Sequence, residues 1–386
     1  MIYVHVPFCR SFCTYCGFYS EICSRKEAQQ VQNRFFRDYA DAVCEEIGER
    51  RAEIAAAAPF APDTLYIGGG TASVLPVEVL ERIVRALGPA TYGEFTLEVN
   101  PDDVAAGGAP YAAALRALGV TRISMGVQSF DDGILRWMNR RHDAAGAREA
   151  FRLLRAAGFD NISIDLIVGL SQLSDGLWSQ TVTEALALHP EHISAYQLSV
   201  EEDSALAEMV KDGRYAEASE EQCRGQYDTL CRMLADAGYV HYEISNWALP
   251  GREAVHNSAY WRRVPYVGLG PAAHSFSLPT PGVRSWNSAE LARRDASGRL
   301  LRWRSGSETL SPREAAEETI MLSLRSAAGI SLPLLRRLSP SAPVDGLLAS
   351  GSLQPVPASS GEPRVRIPED HFFVSDDIIA RLFPAG

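Results

Sequence analysis

The chain has 386 residues, with 48 acidic against 37 basic side chains and a net charge of −11 when histidine is neutral. Hydrophobic residues at 46% and charged residues at 22% are ordinary for a globular protein. They exclude a disordered or collagen-like chain, and a chain this long buries a core without disulfides. The acidic balance argues against nucleic acid or an anionic membrane as the default partner, and no apolar run approaches the ~18 residues of a membrane span.

A strand-like run at 2–6 stands at the very start, so no signal peptide is expected and a cytoplasmic location follows. Further β-rich runs are expected at 64–67, 95–99, 122–127, 162–168 and 193–198. Helical periodicity fills the gaps at 33–56, 77–87, 111–118, 144–157 and 176–188, and Gly88, Gly119 and Gly158 stand where helices end. Strands alternating with helices of this length predict a parallel sheet, and six units suffice for a partial (β/α)6 barrel. Each strand runs into a polar group that could touch a ligand: 68–71 (GGGT), Glu98 and Asn100, Gln128, Asp165, Gln197. In parallel α/β folds the carboxyl ends of the strands form the ligand-binding face.

A helix at 220–237 follows, and past about residue 280 the texture changes. Pro279, Pro281 and Gly282 punctuate the chain, and 293–304 is locally basic. Helices are expected at 312–325, with Ser311 as N-cap, at 332–338 and at 344–349, with strand-like pieces at 353–356 and 364–367. The expected division is a barrel at 1–280 and a small helical, winged-helix-like domain at 281–386. From 331 onward there are five arginines, no lysines and six acids, the wrong balance for a DNA-reading module.

Seven cysteines is an odd number, and three of them, Cys9, Cys13 and Cys16, crowd into CxxxCxxC just after the first strand. In a chain with no leader expected, such crowding points to metal chemistry in a reducing compartment. Thiolates select iron–sulfur clusters, zinc or copper(I). A structural zinc site wants four ligands, whereas three cysteines on one loop can hold three irons of a cubane and leave the fourth open. Chance clustering is the remaining reading. Cys23, Cys44, Cys223 and Cys231 are assigned to packing.

The CxxxCxxC spacing, its place after the first strand and Tyr15 just before the last cysteine resemble the radical S-adenosylmethionine (radical SAM) superfamily. The resemblance implies a 4Fe–4S cluster on Cys9, Cys13 and Cys16, with S-adenosylmethionine chelating the open iron. One electron from the cluster then cleaves the sulfonium to a 5′-deoxyadenosyl radical. By the same resemblance Gly69, Gly70 and Thr71 contact the methionine amino group, and Glu98, Gln128, Arg140 and Asp165 contact other parts of the cofactor, with Tyr3 and Tyr15 adjacent. Arg141, beside Arg140, competes for its role.

The segments YVHVPFC, GGGT, EVNP, SMGVQSF, DLIVGL, YEISNWA, HNSAYW and GLGPAAHS come in the order seen in the oxygen-independent coproporphyrinogen III oxidase-like family. Three features resemble its heme chaperone branch. Phe18 stands where the dehydrogenases have a fourth cysteine, only eight residues precede Cys9, and 256–261 fit HNxxYW. The resemblance implies heme as cargo, recipient hemoproteins, an electron donor such as flavodoxin or ferredoxin, and membrane contact only in passing. His256 is the candidate heme ligand, with His5, His241 and His274 competing. The alternatives are coproporphyrinogen dehydrogenase, a radical SAM methyltransferase acting on heme, and a DNA-binding regulator using the tail.

Overall fold

The computed structural model describes residues 1–23, 29–279, 281–356 and 361–384. Six parallel strands form the frame: β1 (Ile2–Val6), β2 (Thr64–Gly69), β3 (Glu94–Val99), β4 (Arg122–Gln128), β5 (Ile162–Val168) and β6 (His192–Gln197). They lie side by side in chain order, each pairing in parallel with the next. Three shorter strands extend the sheet: β7 (Val240–Glu243), β8 (Asn246–Ala248) and β9 (Val267–Leu269). Strand β9 runs parallel to β1, while β8 and then β7 add antiparallel beyond β6. The two outer strands are not paired with each other among the described residues, so the barrel is partial.

Helices cross between the strands, notably Gln29–Glu49, Val77–Leu87, Ala144–Ala156, Asp175–Ala187 and Glu220–Asp236. The expected strands and most expected helices match to within a residue or two. The continuous helix expected at 33–56 instead breaks at Arg50, between Gln29–Glu49 and Arg51–Ala57. The helix expected at 111–118 begins earlier, as Pro101–Ala117, with a kink at Gly108 (φ 61°) before Pro110. Gly107, Gly108 and Pro110 hide its first half from any periodicity argument.

Strands buried on both faces usually read as continuous apolar runs. Here they alternate. Val4, Val6, Leu65, Ile67, Leu97 and Met125 are among the residues facing the helices and filling the main core. The opposite parity is polar: Tyr66, Glu98, Ser124, Gln128, Asp165 and Tyr196 all line one interior cleft. A polar interior is a poor core and a good place for a hydrophilic ligand.

The expected boundary at 280 lies outside the described residues, and the strands on either side of it pair with each other. Strands β10 (His274–Ser277) and β11 (Val283–Asn287) pair antiparallel across it, and β12 (Ser305–Thr309) completes that sheet. The Pro/Gly punctuation marks a turn. Ala292 and Trp303 still belong to the main core, while the second core gathers residues from Ile320 onward, including Leu335, Leu347 and Phe372. That second unit packs Pro312–Leu324, Leu332–Leu338 and Val344–Ala349 against a small sheet in which Arg364–Arg366 lies between Ile330–Ser331 and Gln354–Pro355. Ser311 caps the first of these helices with a full capping box through Glu314. The unit seats on the barrel through His241, which stacks on Trp247 at 4.1 Å and meets the Phe372 ring edge-on. No helix among the described residues is long and apolar enough to cross a membrane.

Candidate functional site

The cleft opens at the carboxyl ends of the parallel strands and has a volume of about 630 Å³. Its rim is the loop after β1, which carries Cys9, Cys13 and Cys16, all as free thiols. The loop is strapped at several points. Arg10 Nε donates to Asp103 Oδ1 (3.3 Å), and Asp103 is held in turn by Ser73 Oγ (2.9 Å). Asn139 Nδ2 donates to the carbonyl of Phe12 (2.7 Å). Thr14 donates its backbone N–H to Met138 (3.1 Å) and its hydroxyl to Trp137 (2.8 Å), and Leu206 donates back to Thr14 (2.8 Å). These bonds fix the path of the loop without using a thiol. Burial pushes the thiols of Cys9 and Cys16 up, the latter to about 11. Among the described residues no three His, Cys, Asp or Glu groups converge on a single-ion site.

The glycine run after β2 forms one wall. A Cβ on Gly68 would lie 2.5 Å from the Glu98 carboxyl carbon, and one on Gly69 (φ 117°) would lie 2.6 Å from the His5 ring. Only residues without side chains let these strand ends close up. Gly69 N–H and Tyr66 Oη both donate to the Glu98 carboxylate, at 2.9 and 2.6 Å. Burial still pushes that carboxyl up to about 7, against the lowering effect of those two bonds. Asp165, on the next strand but one, accepts from Ser124 (2.9 Å) and Ser163 (3.1 Å) and is also raised by burial.

Arg140 and Arg141 both line the cleft and turn to different partners. The Arg140 guanidinium donates to Cys13 Sγ (3.4 Å), Asn100 Oδ1 (2.8 Å) and the Gly126 carbonyl, while its Nε is buried without a partner. Arg141 turns to Asp102 at 2.7 Å. Gln128 ends β4 at a bulge with φ 68°, a left-handed conformation, and lines the cleft. Thr71 bonds toward Cys9 Sγ at 3.4 Å. Of the residues expected at the site, Cys9, Cys13, Cys16, Tyr15, Gly69, Gly70, Thr71, Glu98, Gln128, Arg140 and Asp165 all line this one cleft.

Tyr3 and His256 do not. Tyr3 faces the interior one layer back, its hydroxyl 2.9 Å from His5 Nδ1. His256 is 1% exposed, below the strands at their amino ends. Its Nδ1 bonds Thr64 Oγ1 (2.8 Å) and its Nε2 bonds Tyr260 Oη (3.1 Å), so both ring nitrogens are committed and burial drives its pKa to about 3. In HNxxYW the histidine and tyrosine thus build the barrel floor, and Asn257 is the member that lines the cleft. His5 is bonded at both nitrogens, His241 lies under Trp247, and His274 sits on the outer sheet facing Trp286. No histidine lines the cleft among the described residues.

Tyr66, Ser124, Tyr196, Glu201 and Asn257 line the cleft but were not singled out from sequence. Strand parity is the signal for the first three, since each shares a face with Glu98 or Asp165. Glu201 comes from an irregular loop pressed against Gly17, where a Cβ would meet it at 2.8 Å, and nothing in its local sequence marks it.

A sequence model of the radical SAM superfamily matches residues 3–184. The chain is 33% identical to the heme chaperone HemW of Synechocystis over 85% of its own length and 78% of that protein. It is 32% identical to the heme chaperone HemW of Bacillus subtilis, over 85% of this chain and 84% of the relative. The solved structure of coproporphyrinogen III oxidase (HemN) from Escherichia coli superposes with a TM-score of 0.74 at 21% identity, covering 99% of this chain and 89% of that one. At that identity the superposition speaks for the fold alone.

Proposed function

The chain belongs to the HemW family of radical SAM proteins, and from that premise we propose that it binds heme and delivers it to recipient hemoproteins. The observation that carries this reading is 33% identity to a heme chaperone across 85% of the chain.

The cofactors of the superfamily are a 4Fe–4S cluster and S-adenosylmethionine, and the residues present fit them. Cys9, Cys13 and Cys16 are three soft donors on a strapped loop, and Gly69, Gly70 and Thr71 bring main chain to the wall of the same cleft. The unpartnered Nε of Arg140 points to a missing polar neighbour. When bound, the pair supplies a one-electron reduction of the sulfonium. The protein's part is placement. Gly69, Gly70 and Thr71 let the methionine end approach the backbone, and Glu98 offers a carboxylate to a cationic ligand. Gln128, Arg140 and Asp165 contact its other polar groups, with Tyr15 adjacent. Arg140 donates toward Cys13, which tempers charge on that sulfur. A flavodoxin or ferredoxin as electron donor, a cytoplasmic location and passing contact with a membrane-bound recipient belong to the same reading.

The test is anaerobic reconstitution with iron and sulfide, then incubation with S-adenosylmethionine, a reductant and either heme or coproporphyrinogen. Expected are stoichiometric heme binding, transfer to an apo-hemoprotein and no loss of carboxyl groups from coproporphyrinogen. Release of carbon dioxide would move the protein to the dehydrogenases, and a methylated linear tetrapyrrole would move it to the methyltransferases.

A further inference from the structure

Five large aromatic side chains among the described residues are exposed, and three of them line one cleft. Phe18 is 73% exposed and Phe12 54%, both on the cysteine loop that rims the cleft, while Tyr196, 45% exposed, lines its interior beside the acids. The two phenylalanines bracket Cys13 and Cys16, on a loop whose backbone is held at Phe12 and Thr14 by bonds with Asn139, Trp137, Met138 and Leu206. An apolar patch on the rim of a polar cleft is the mark of a ligand with an apolar body.

We propose that heme seats on this mouth, stacked against Phe12 and Phe18, outside the polar chamber where S-adenosylmethionine binds. The site rests on the heme-binding reading above and adds its location. Three observations choose this occupant. The deep cleft presents Glu98, Asp165, Ser124 and Asn257, which a tetrapyrrole ring would strip of water without replacing their hydrogen bonds. No histidine lines the cleft among the described residues, so stacking supplies the affinity there rather than imidazole–iron bonding. Finally, Arg10 and Arg141 line the same cleft, Arg10 donating to Asp103 through Nε and Arg141 ion-paired with Asp102. Their remaining N–H groups suit the two propionates of heme.

The test is heme titration of the anaerobically reconstituted full chain, followed by the Soret absorbance. The variants are Phe18→Ser, the Phe12→Ser/Phe18→Ser double variant, and Phe60→Ser, which alters an exposed ring outside the cleft (64% exposed). Iron content and thermal midpoint verify that each variant carries its cluster and is folded. Losing one buried phenyl contact weakens heme binding about tenfold, and losing both about a hundredfold. Phe60→Ser stays within twofold of the parent. A double variant within twofold of the parent overturns the site while leaving the heme-binding reading intact, and equal loss in Phe60→Ser reduces the binding to adhesion on any exposed ring. A parent protein that takes up no heme removes both the site and the reading.

Discussion

A methyl group placed on Gly68 would stand 2.5 Å from the carboxyl carbon of Glu98, although the two residues sit on different strands. The glycine is thus a fitted surface for the acid. Gly68→Ala forces the carboxylate off Tyr66 Oη and Gly69 N–H, the bonds that hold it at 2.6 and 2.9 Å. Hydrogen bonds to a charged acceptor contribute about 1.5–3 kcal/mol each, so a stability loss of about 2 kcal/mol is expected in chemical denaturation. Equilibrium dialysis should show S-adenosylmethionine binding at least tenfold weaker, with iron content unchanged. Unaltered affinity would remove Glu98 from the contacts.

The same carboxyl sets a pH dependence. Burial raises Glu98 to about 7, with Asp165 adding to the rise and Tyr66, Gly69 N–H and Arg122 opposing it. Its folded pKa lies above the unfolded one, so its contribution to stability is fully present below the usual carboxylate range and is lost as pH rises through 7. A ligand bearing an ammonium and a sulfonium group prefers the ionised acid. Affinity for S-adenosylmethionine therefore falls about tenfold per pH unit below 7 and levels off above it. Glu98→Gln flattens the profile. Arg122 is 1% exposed with an unpartnered Nε, and it holds Glu98 down. Arg122→Met should move the midpoint to higher pH, whereas a midpoint that stays put would show that its charge is screened.

For His256 the expected result is structural. The ring links Thr64 to Tyr260, and its backbone N–H, like that of Val255, donates to Glu94 at 2.9 Å. His256→Ala leaves two buried hydroxyls without a partner and a cavity behind them, at a cost of about 2–4 kcal/mol. Heme affinity per folded molecule should stay within twofold of the parent. Loss of heme binding with an unchanged thermal midpoint would restore the histidine as a ligand.

The contrast between Glu98 and His256 shows what was legible in the sequence. Both are buried polar residues in distinctive motifs. Glu98 was readable because it ends a strand in a βα series, and topology brings all such ends to one face. His256 lies on a short helix, Val255–Trp261, whose docking beneath the barrel depends on contacts with Thr64 and Glu94 far away in sequence. No local pattern encodes that. The same limit hid β7, β8 and β9, short strands that exist because the edges of the sheet recruit them. Punctuation was equally ambiguous: Pro279, Pro281 and Gly282 announce a break in regular structure, and only the pairing of His274 with Trp286 shows that break to be a hairpin. Tyr66, Ser124 and Tyr196 were within reach, since each is two residues, or one strand, from an assigned acid on the same face.

Arg140 carries the last prediction, because its three acceptors separate charge from shape. Cys13 Sγ, Asn100 Oδ1 and the Gly126 carbonyl are spread around a planar fork, and a lysine ammonium reaches only one part of that arc. If Arg140 acted by charge alone, Arg140→Lys would bind S-adenosylmethionine as the parent does. Shape predicts otherwise: Arg140→Lys should weaken binding about tenfold, and Arg140→Met, which also strands the Asn100 and Gly126 oxygens, should weaken it further. Cluster iron should persist in both variants, because the loop that carries Cys13 is strapped through Thr14 and Asn139 rather than through the arginine. Calorimetric titration beside iron analysis checks this directly, and loss of iron together with affinity would mean that Arg140 holds the cluster loop and not the ligand.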